Sequence, residues 1–314
     1  MRIEYPDRES WLASRKMTIG ASEVATICGA NPYQSAYALW ATKTGRVPEF
    51  DGNIASRVGT ALECIVASLW EEEAGQTLHD PGDWTVFSHR DMSWFRCTPD
   101  RLLLDEDGGL MSVVELKTIG ERVAAQLRNG EPPLAYQVQL QAQMEIMDRD
   151  CGELACLIGN RAFERFQYQR NPKFVRAMLS KVMDFYDCLL EDSPPEVDGT
   201  ISTAETLAVL HPDDNGETVF LAGEAAAWVS ELVRLKADIK ALEDAKRLAE
   251  NRIKSIIGEC TFADAGDLVV SLKTQERAGV LRVDEKNRAE LEAAGVPFAE
   301  TKASKFRVMR IKGE

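Results

Sequence analysis

The sequence FRCTPDRLLLDEDGGLMSVVELKT, residues 95–118, decides the fold. Apolar and β-branched residues flank an acidic turn that contains two glycines, which predicts two strands joined by a tight connection. Glu115 and Lys117 are two residues apart, so a strand places both side chains on one face and sends their neighbours to the core. Asp100 lies in the first half of the stretch. We therefore expect Asp100, Glu115 and Lys117 to converge.

Two carboxylates and an ammonium on one sheet indicate a particular chemistry. Burying charge is costly unless the charge is paired or bound to a metal. Hard oxygen ligands suit Mg²⁺, and a lysine beside them can stabilise the charge that develops on a phosphorus centre. The pattern favours metal-assisted phosphodiester hydrolysis, although an ordinary hairpin with a surface ion pair explains these three residues equally well.

The bulk composition is that of an ordinary soluble globular protein. The chain has 314 residues, of which 45% are hydrophobic and 28% charged, so we expect one or two domains. No apolar run approaches the length of a membrane span, and no basic-then-apolar leader follows Met1. These features predict a cytoplasmic protein without a membrane partner.

The cysteines, the histidines and the net charge argue against several further classes of protein. Seven scattered cysteines without C-x-x-C spacing argue against a zinc ribbon, a disulfide framework and an iron–sulfur cluster. The three histidines lie far apart, which disfavours a histidine metal site. The net charge of −14 (37 − 51) argues against a protein that coats nucleic acid by basicity. A nuclease stays possible, because carboxylates that bind a metal add negative charge locally.

Several further segments allow a functional and a structural interpretation. Ser22 is a predicted helix N-cap near Arg15, which suits either phosphate binding or a plain cap. Glu63 lies beside the apolar stripe of a predicted helix at 54–74, where it is either a third metal carboxylate or a surface residue. The glutamine-rich segment 136–147 predicts a helix whose polar face follows a sugar–phosphate backbone or simply faces water.

The domain organisation follows from turn residues and periodicity. We predict a core domain at 1–195, a polar linker at 196–215 and an extension at 216–314. Apolar residues from Trp228 to Ile256 recur in a four-three rhythm, which predicts a long coiled-coil-like helix. A small α+β part follows, with a helix near 284–294. The long helix suits oligomerisation or partner docking, and it suits packing on the core equally well.

Six motifs in order resemble the YqaJ-type viral recombinase family, the lambda-exonuclease-like members of the PD-(D/E)XK nuclease superfamily. The motifs are Arg15 with IGASE at 19–23, NPYQS at 31–35, Gly59 with Glu63, TPD at 98–100, ELK at 115–117 and YQVQ at 136–139. The resemblance spans about residues 10–190. It implies an α/β, restriction-endonuclease-like core, with a central mixed sheet flanked by helices.

The resemblance also implies an activity and partners. Members of this family are Mg²⁺-dependent exonucleases, in which Mn²⁺ can substitute and one or two ions bind. They digest one strand of linear double-stranded DNA from 5′ to 3′ and leave 3′ overhangs for phage-type recombination. The partners implied are DNA ends, a single-strand annealing protein and further copies of the chain in a toroidal trimer. A phage-encoded chain would act in the bacterial host cytoplasm.

Site residues are carried over by position. Asp100 and Glu115 match the metal carboxylates, and Lys117 matches the lysine that orients the nucleophilic water. Glu63 matches the glutamate that supports the second metal, and Leu116 would contribute only its backbone carbonyl.

A second group of positions concerns DNA. Arg15, Ser22 and Thr98 match residues that hold the terminal 5′-phosphate, and Gln137 matches a glutamine near the active site. The chain departs from the family at two places, since Thr98 replaces the more frequent serine and Arg101 replaces a glycine after Asp100.

Two alternative functions remain open at this stage. The same centre would serve a site-specific or structure-specific endonuclease. The chain could also be a non-catalytic adaptor that recruits an annealing protein through its C-terminal helix.

Overall fold

The computed structural model describes residues 1–49, 52–124, 130–159, 161–277, 291–295 and 304–313. The chain forms two compact units, Met1–Asn215 and Gly216–Glu314. The first unit is a mixed α/β structure that contains all of the predicted site residues.

The decisive stretch forms a hairpin at the edge of a four-stranded mixed sheet. Strands β5 (Arg101–Leu104) and β6 (Leu110–Ile119) are antiparallel. The carboxylate of Asp105 closes their turn by accepting the Gly109 N–H at 2.6 Å. Strand β6 pairs in parallel with β7 (Cys151–Ile158), which pairs in antiparallel with β8 (Ala162–Gln169). The strand order is β5-β6-β7-β8, so the predicted central mixed sheet is confirmed.

Helices cover both faces of this sheet. On one face, Val114 and Leu116 join the buried cluster of helix α4 (Ile54–Ala74), which includes Trp70. On the other face, Val113 and Ile119 share a cluster with Leu140 and Met144 of helix α6 (Leu134–Ile146). The predicted alternation along β6 is therefore correct, but the face that carries Glu115 is buried as well.

A second four-stranded sheet, in the order β1-β3-β4-β2, carries the chain into the site. Its strands are β1 (Arg2–Glu4), β2 (Ile19–Gly20), β3 (Thr85–Ser88) and β4 (Phe95–Cys97). Ile19 and Phe95 are fully buried partners on the parallel strands β2 and β4. The remaining helices before the predicted linker are α1 (Arg8–Arg15), α2 (Ala21–Ile27), α3 (Ala36–Lys43), α5 (Glu121–Ala124) and α7 (Pro172–Leu190).

The start of α2 differs from the sequence prediction. Gly20, and not Ser22, is the N-cap residue, and its N–H donates to Glu23 Oε2 at 2.8 Å. Ser22 is the second residue of the helix, and its side chain is exposed. The prediction that Ser22 caps the helix is wrong, because the glutamate three residues after Gly20 already satisfies the free backbone N–H there.

The predicted linker contains a helix. Residues 201–210 form α8 (Ile201–Leu210), which Thr200 caps by accepting the Thr203 N–H at 3.2 Å. The buried hydroxyl of Thr203 donates to Ser35 Oγ at 2.8 Å, so α8 packs against the start of α3. The prediction of a linker over 196–215 is therefore wrong for this helix, which is part of the first unit.

The second unit consists of a long helix and a small sheet. Helix α9 (Glu224–Ile257) spans the predicted heptad pattern, and Gly258 ends it. An antiparallel sheet follows, in the order β11-β10-β9, from β9 (Phe262–Asp264), β10 (Leu268–Arg277) and β11 (Ser304–Gly313). Most of the predicted helix near 284–294 lies outside the described residues.

Two predicted absences can be compared with the structure. None of the seven cysteines, all of which lie in the described part of the chain, forms a disulfide. Within the part of the chain that the structure describes, none of the helices is both long and apolar enough to cross a bilayer.

Gly152 fixes the close approach of α6 to the central sheet, and this predicts a stability effect. A Cβ at this position would lie 2.9 Å from Leu140 Cδ1, and Leu140 is fully buried. We expect Gly152→Ala to lower the free energy of unfolding by about 1–3 kcal/mol through overpacking. Urea unfolding measures this, with Gly199→Ala as the matched control because a Cβ there meets nothing within 4 Å. Equal stabilities of the two variants would contradict the packing argument.

Candidate active site

Polar side chains from both sheets and from helices α1, α2, α4 and α6 line one cleft with a volume of about 740 Å³. Seven of the residues predicted from the sequence line it: Arg15, Ser22, Glu63, Thr98, Asp100, Glu115 and Lys117. The hairpin therefore contributes to a cleft and not to an open surface, which argues against the simple surface ion pair.

Glu115 is the most buried charged group of the cleft, with 1% of the residue exposed. Its Oε1 accepts Lys117 Nζ at 2.5 Å and also accepts the side-chain amide of Gln139. Its Oε2 accepts Gln143 Nε2 at 2.5 Å. Three donors on one carboxylate compensate for the water that the group loses on burial.

Asp100 lies beside Glu115 and has an unusual proton affinity. Its Oδ2 accepts the backbone N–H of Leu116 at 2.8 Å, which fixes the carboxylate over strand β6. Burial, followed by the negative charges of Glu115 and Glu63, raises the pKa of Asp100 to about 8 against the opposing effects of Lys117 and the Leu116 N–H.

Glu63 reaches the cleft from helix α4. Burial raises the pKa of its carboxyl group, the nearby Arg101 counteracts this, and the charge of Glu115 adds to the increase. The pKa values of Glu63 and Asp100 are thus both raised first by burial and then by the negative charge of Glu115.

Lys117 is the cation within this acidic group. Burial lowers the pKa of its ammonium, but Glu115 and Asp100 outweigh that effect and raise the pKa overall. The Nζ atom lies 5.3 Å from the centre of the Tyr136 ring. Lys117 is therefore protonated in this arrangement and acts as a fixed positive charge.

Arg101 explains how the turn after Asp100 forms without glycine. Its Nη1 donates to the Asp100 carbonyl at 2.6 Å and lies 3.2 Å from Asp80 Oδ2. The arginine side chain folds back on its own backbone and holds the turn.

The cleft also has a basic and hydroxylated wall. Arg15 ends helix α1, with its guanidinium 4.8 Å from the centre of the Trp11 ring and its Nη2 3.3 Å from Glu23 Oε1. Ser22 lies in the first turn of α2, and Thr98 lies on the segment between β4 and β5. These three predicted residues thus share the cleft with the carboxylates.

The sequence analysis selected Gln137 of α6 as the glutamine near the active site, but two other glutamines of this helix contact Glu115. Gln137 donates to the Pro132 carbonyl at 2.7 Å and does not line the cleft. Gln139 and Gln143, which the sequence analysis did not select, bind Glu115 instead. Their spacing of four residues places both on one helix face, and this was the signal available in the sequence.

The carboxylates fit a magnesium site in their charge and in their donor type. Glu63, Asp100 and Glu115 against Lys117 leave a formal excess of two negative charges. Within the described ranges, no three His, Cys, Asp or Glu side chains lie close enough to form a complete cage. This suits Mg²⁺, which binds through one or two carboxylates and takes its other ligands from water and substrate phosphate.

Residues 10–150 match the family model of the YqaJ-like viral recombinase domain. The chain is 24% identical over 265 residues to the uncharacterized protein YqaJ of Bacillus subtilis (strain 168), which covers 83% of this chain and 81% of that protein. Two solved structures are similar to part of the chain. An alkaline exonuclease from Laribacter hongkongensis aligns with a TM-score of 0.49 at 20% identity, over 59% of this chain and 93% of its own. A phage related exonuclease from Haemophilus somnus 129PT aligns with a TM-score of 0.42 at 12% identity, over 56% of this chain and 96% of its own.

The matched segment contains every residue that lines the cleft, from Trp11 to Gln143. This segment of the chain is therefore similar to the YqaJ-like viral recombinase domain.

Proposed function

We propose that the chain is a Mg²⁺-dependent deoxyribonuclease that digests one strand of linear duplex DNA from the 5′ end and leaves a 3′ overhang. One observation carries the proposal: Glu63, Asp100 and Glu115 share a cleft with Lys117, and the pKa of Asp100 is raised to about 8 by burial and by its acidic neighbours. A divalent cation would remove that repulsion. The match of residues 10–150 to the YqaJ-like viral recombinase domain supports DNA as the substrate.

Each residue has a distinct part in the proposed hydrolysis. When bound, Mg²⁺ supplies Lewis-acid polarisation of the phosphate and of the attacking water. Asp100, Glu115 and the Leu116 carbonyl would hold it, and Glu63 would add negative charge beside it. The fixed charge of Lys117 stabilises the negative charge that develops on the phosphate oxygens. Gln139 and Gln143 keep the Glu115 carboxylate oriented.

The basic wall provides a reason for action at DNA ends. Arg15 presents a guanidinium, and Ser22 presents a hydroxyl beside the backbone N–H groups of the first turn of α2. We propose that these groups and the hydroxyl of Thr98 bind a terminal 5′-phosphate. A trimer and an annealing partner stay predictions from the resemblance, as does a role in phage-type recombination.

Removal of one carboxylate tests the hydrolytic centre. We expect Asp100→Asn to lower the Mg²⁺-dependent turnover of end-labelled linear duplex by about a hundredfold or more, because the metal loses a charged ligand. The same assay on Lys117→Met should show a comparable loss through the missing positive charge.

The control for this experiment is Asp107→Asn, which removes one carboxylate from the exposed turn of the same hairpin. Wild type in EDTA should be inactive. Full turnover by Asp100→Asn, or digestion that persists in EDTA, would refute the assignment. Closed circular DNA distinguishes the two nuclease classes, since an enzyme that needs ends leaves it intact and an endonuclease cuts it.

The terminal phosphate gives a second prediction. Wild type should digest a 5′-phosphorylated duplex faster than the same duplex with a 5′-hydroxyl end, and Arg15→Gln should reduce the ratio about tenfold, which corresponds to the loss of one charge-assisted contact. Initial rates on the two substrates measure the ratio. A ratio of one in wild type would rule out the phosphate site and leave the hydrolytic centre untouched.

The raised pKa of Asp100 predicts a pH-dependent stability difference in EDTA. The folded protein binds this proton more tightly than the unfolded chain, so the stabilisation is full below about pH 4 and is lost as the pH rises to about 8. Asp100→Asn removes that loss. We expect urea unfolding to show the variant more stable than wild type at pH 8 by on the order of 1 kcal/mol, with a smaller difference at pH 5. Asp107→Asn, in the exposed turn of the same hairpin, is the control for this measurement.

A further inference from the structure

Lys43, at the end of α3, has a buried ammonium that the proposed mechanism does not use. Only 5% of its side chain is exposed. Its Nζ lies 2.9 Å from Glu23 Oε2, and it donates to the carbonyls of Arg15 at 2.9 Å and Thr18 at 2.7 Å. These three acceptors use all three N–H bonds of a charged ammonium.

The contacts of Lys43 surround the place where Arg15 enters the cleft. Arg15 and Thr18 bound the turn between α1 and β2, so two of the hydrogen bonds fix that turn. The third partner, Glu23, also accepts the Gly20 N–H at 2.8 Å and lies 3.3 Å from Arg15 Nη2. Lys43 thus contacts both the backbone of Arg15 and the anion beside its guanidinium.

The charges of this group leave one positive charge free. Glu23 carries one negative charge, and Lys43 and Arg15 carry one positive charge each. Lys43 makes the shorter contact to the carboxylate, 2.9 Å against 3.3 Å for Arg15. Burial lowers the pKa of the Lys43 ammonium, and Glu23 counteracts this effect. The guanidinium therefore retains donors and charge for an anion in the cleft.

We propose that Lys43 is a positioning residue that neutralises Glu23, so that Arg15 remains available to a terminal 5′-phosphate. This role rests on the proposed recognition of DNA ends. It belongs to a residue that does not line the cleft. Without Lys43, Arg15 becomes the sole counter-ion of a nearly buried carboxylate and is drawn away from DNA.

The test measures binding in EDTA, separately from digestion. Hairpin duplexes with a single open end, either 5′-phosphorylated or 5′-hydroxyl, are titrated by fluorescence anisotropy, and the ratio of the two dissociation constants is the readout. Lys43→Met should lower the preference for the phosphorylated end about tenfold. Adding Glu23→Gln to that variant should restore it, because the competing negative charge is gone.

Glu23→Gln alone keeps the experiment decisive if Lys43→Met does not fold. This variant leaves both cations without their counter-ion and should raise the preference above that of wild type. Lys181→Met is the matched control, since it removes one exposed lysine of α7 that does not line the cleft and should leave the ratio unchanged. A purely structural role for Lys43 would weaken binding to both ends equally and leave the ratio constant.

An unchanged ratio of dissociation constants in Glu23→Gln overturns the proposal. A double variant whose preference for the phosphorylated end stays as low as that of Lys43→Met overturns it as well. Equal affinity of wild type for the two ends also overturns it. Mg²⁺-dependent digestion, measured separately, would still stand in that case.

Discussion

The burial of Glu115 is the constraint on which the site depends. A carboxylate at the centre of strand β6, with 1% of the residue exposed, is stable only if other groups replace the water it has lost. Lys117 and the two glutamines of α6 do so. Their arrangement requires α6 to lie close to the sheet, and Gly152 permits this approach because it has no side chain. The packing of the sheet and the chemistry of the cleft are therefore parts of one arrangement.

The other two carboxylates have fewer partners than Glu115 to replace the water that they lose on burial. Asp100 receives one backbone N–H, and Glu63 depends on the more distant Arg101, so both have raised pKa values. A core built only for stability would not keep such groups together, since each one reduces the stability of the metal-free protein at neutral pH. Unneutralised carboxylates in a polar cleft are thus better explained by function than by folding.

Local pattern predicted most of the fold. The alternation along β6 and the helix Ile54–Ala74 were both correct, because each follows from periodicity within one segment. The predictions failed where distant contacts decide the outcome. Helix α8 is held in part by Thr203 against Ser35, a contact between residues far apart in sequence, and the composition of that segment alone suggested a linker. Gln139 was missed for a related reason, since its role depends on where Glu115 lies in the folded chain.

The acidic total and the proposed binding of DNA are compatible because the cleft also contains cations. Glu63, Asp100 and Glu115 lie where a cation would bind, and Arg15 lines the same cleft beside Trp11. The basic wall is itself supported by a buried lysine, so its positive charge does not depend on the net charge of −14. Since screening weakens the long-range repulsion between the acidic surface and DNA, contacts within the cleft decide whether an end is bound.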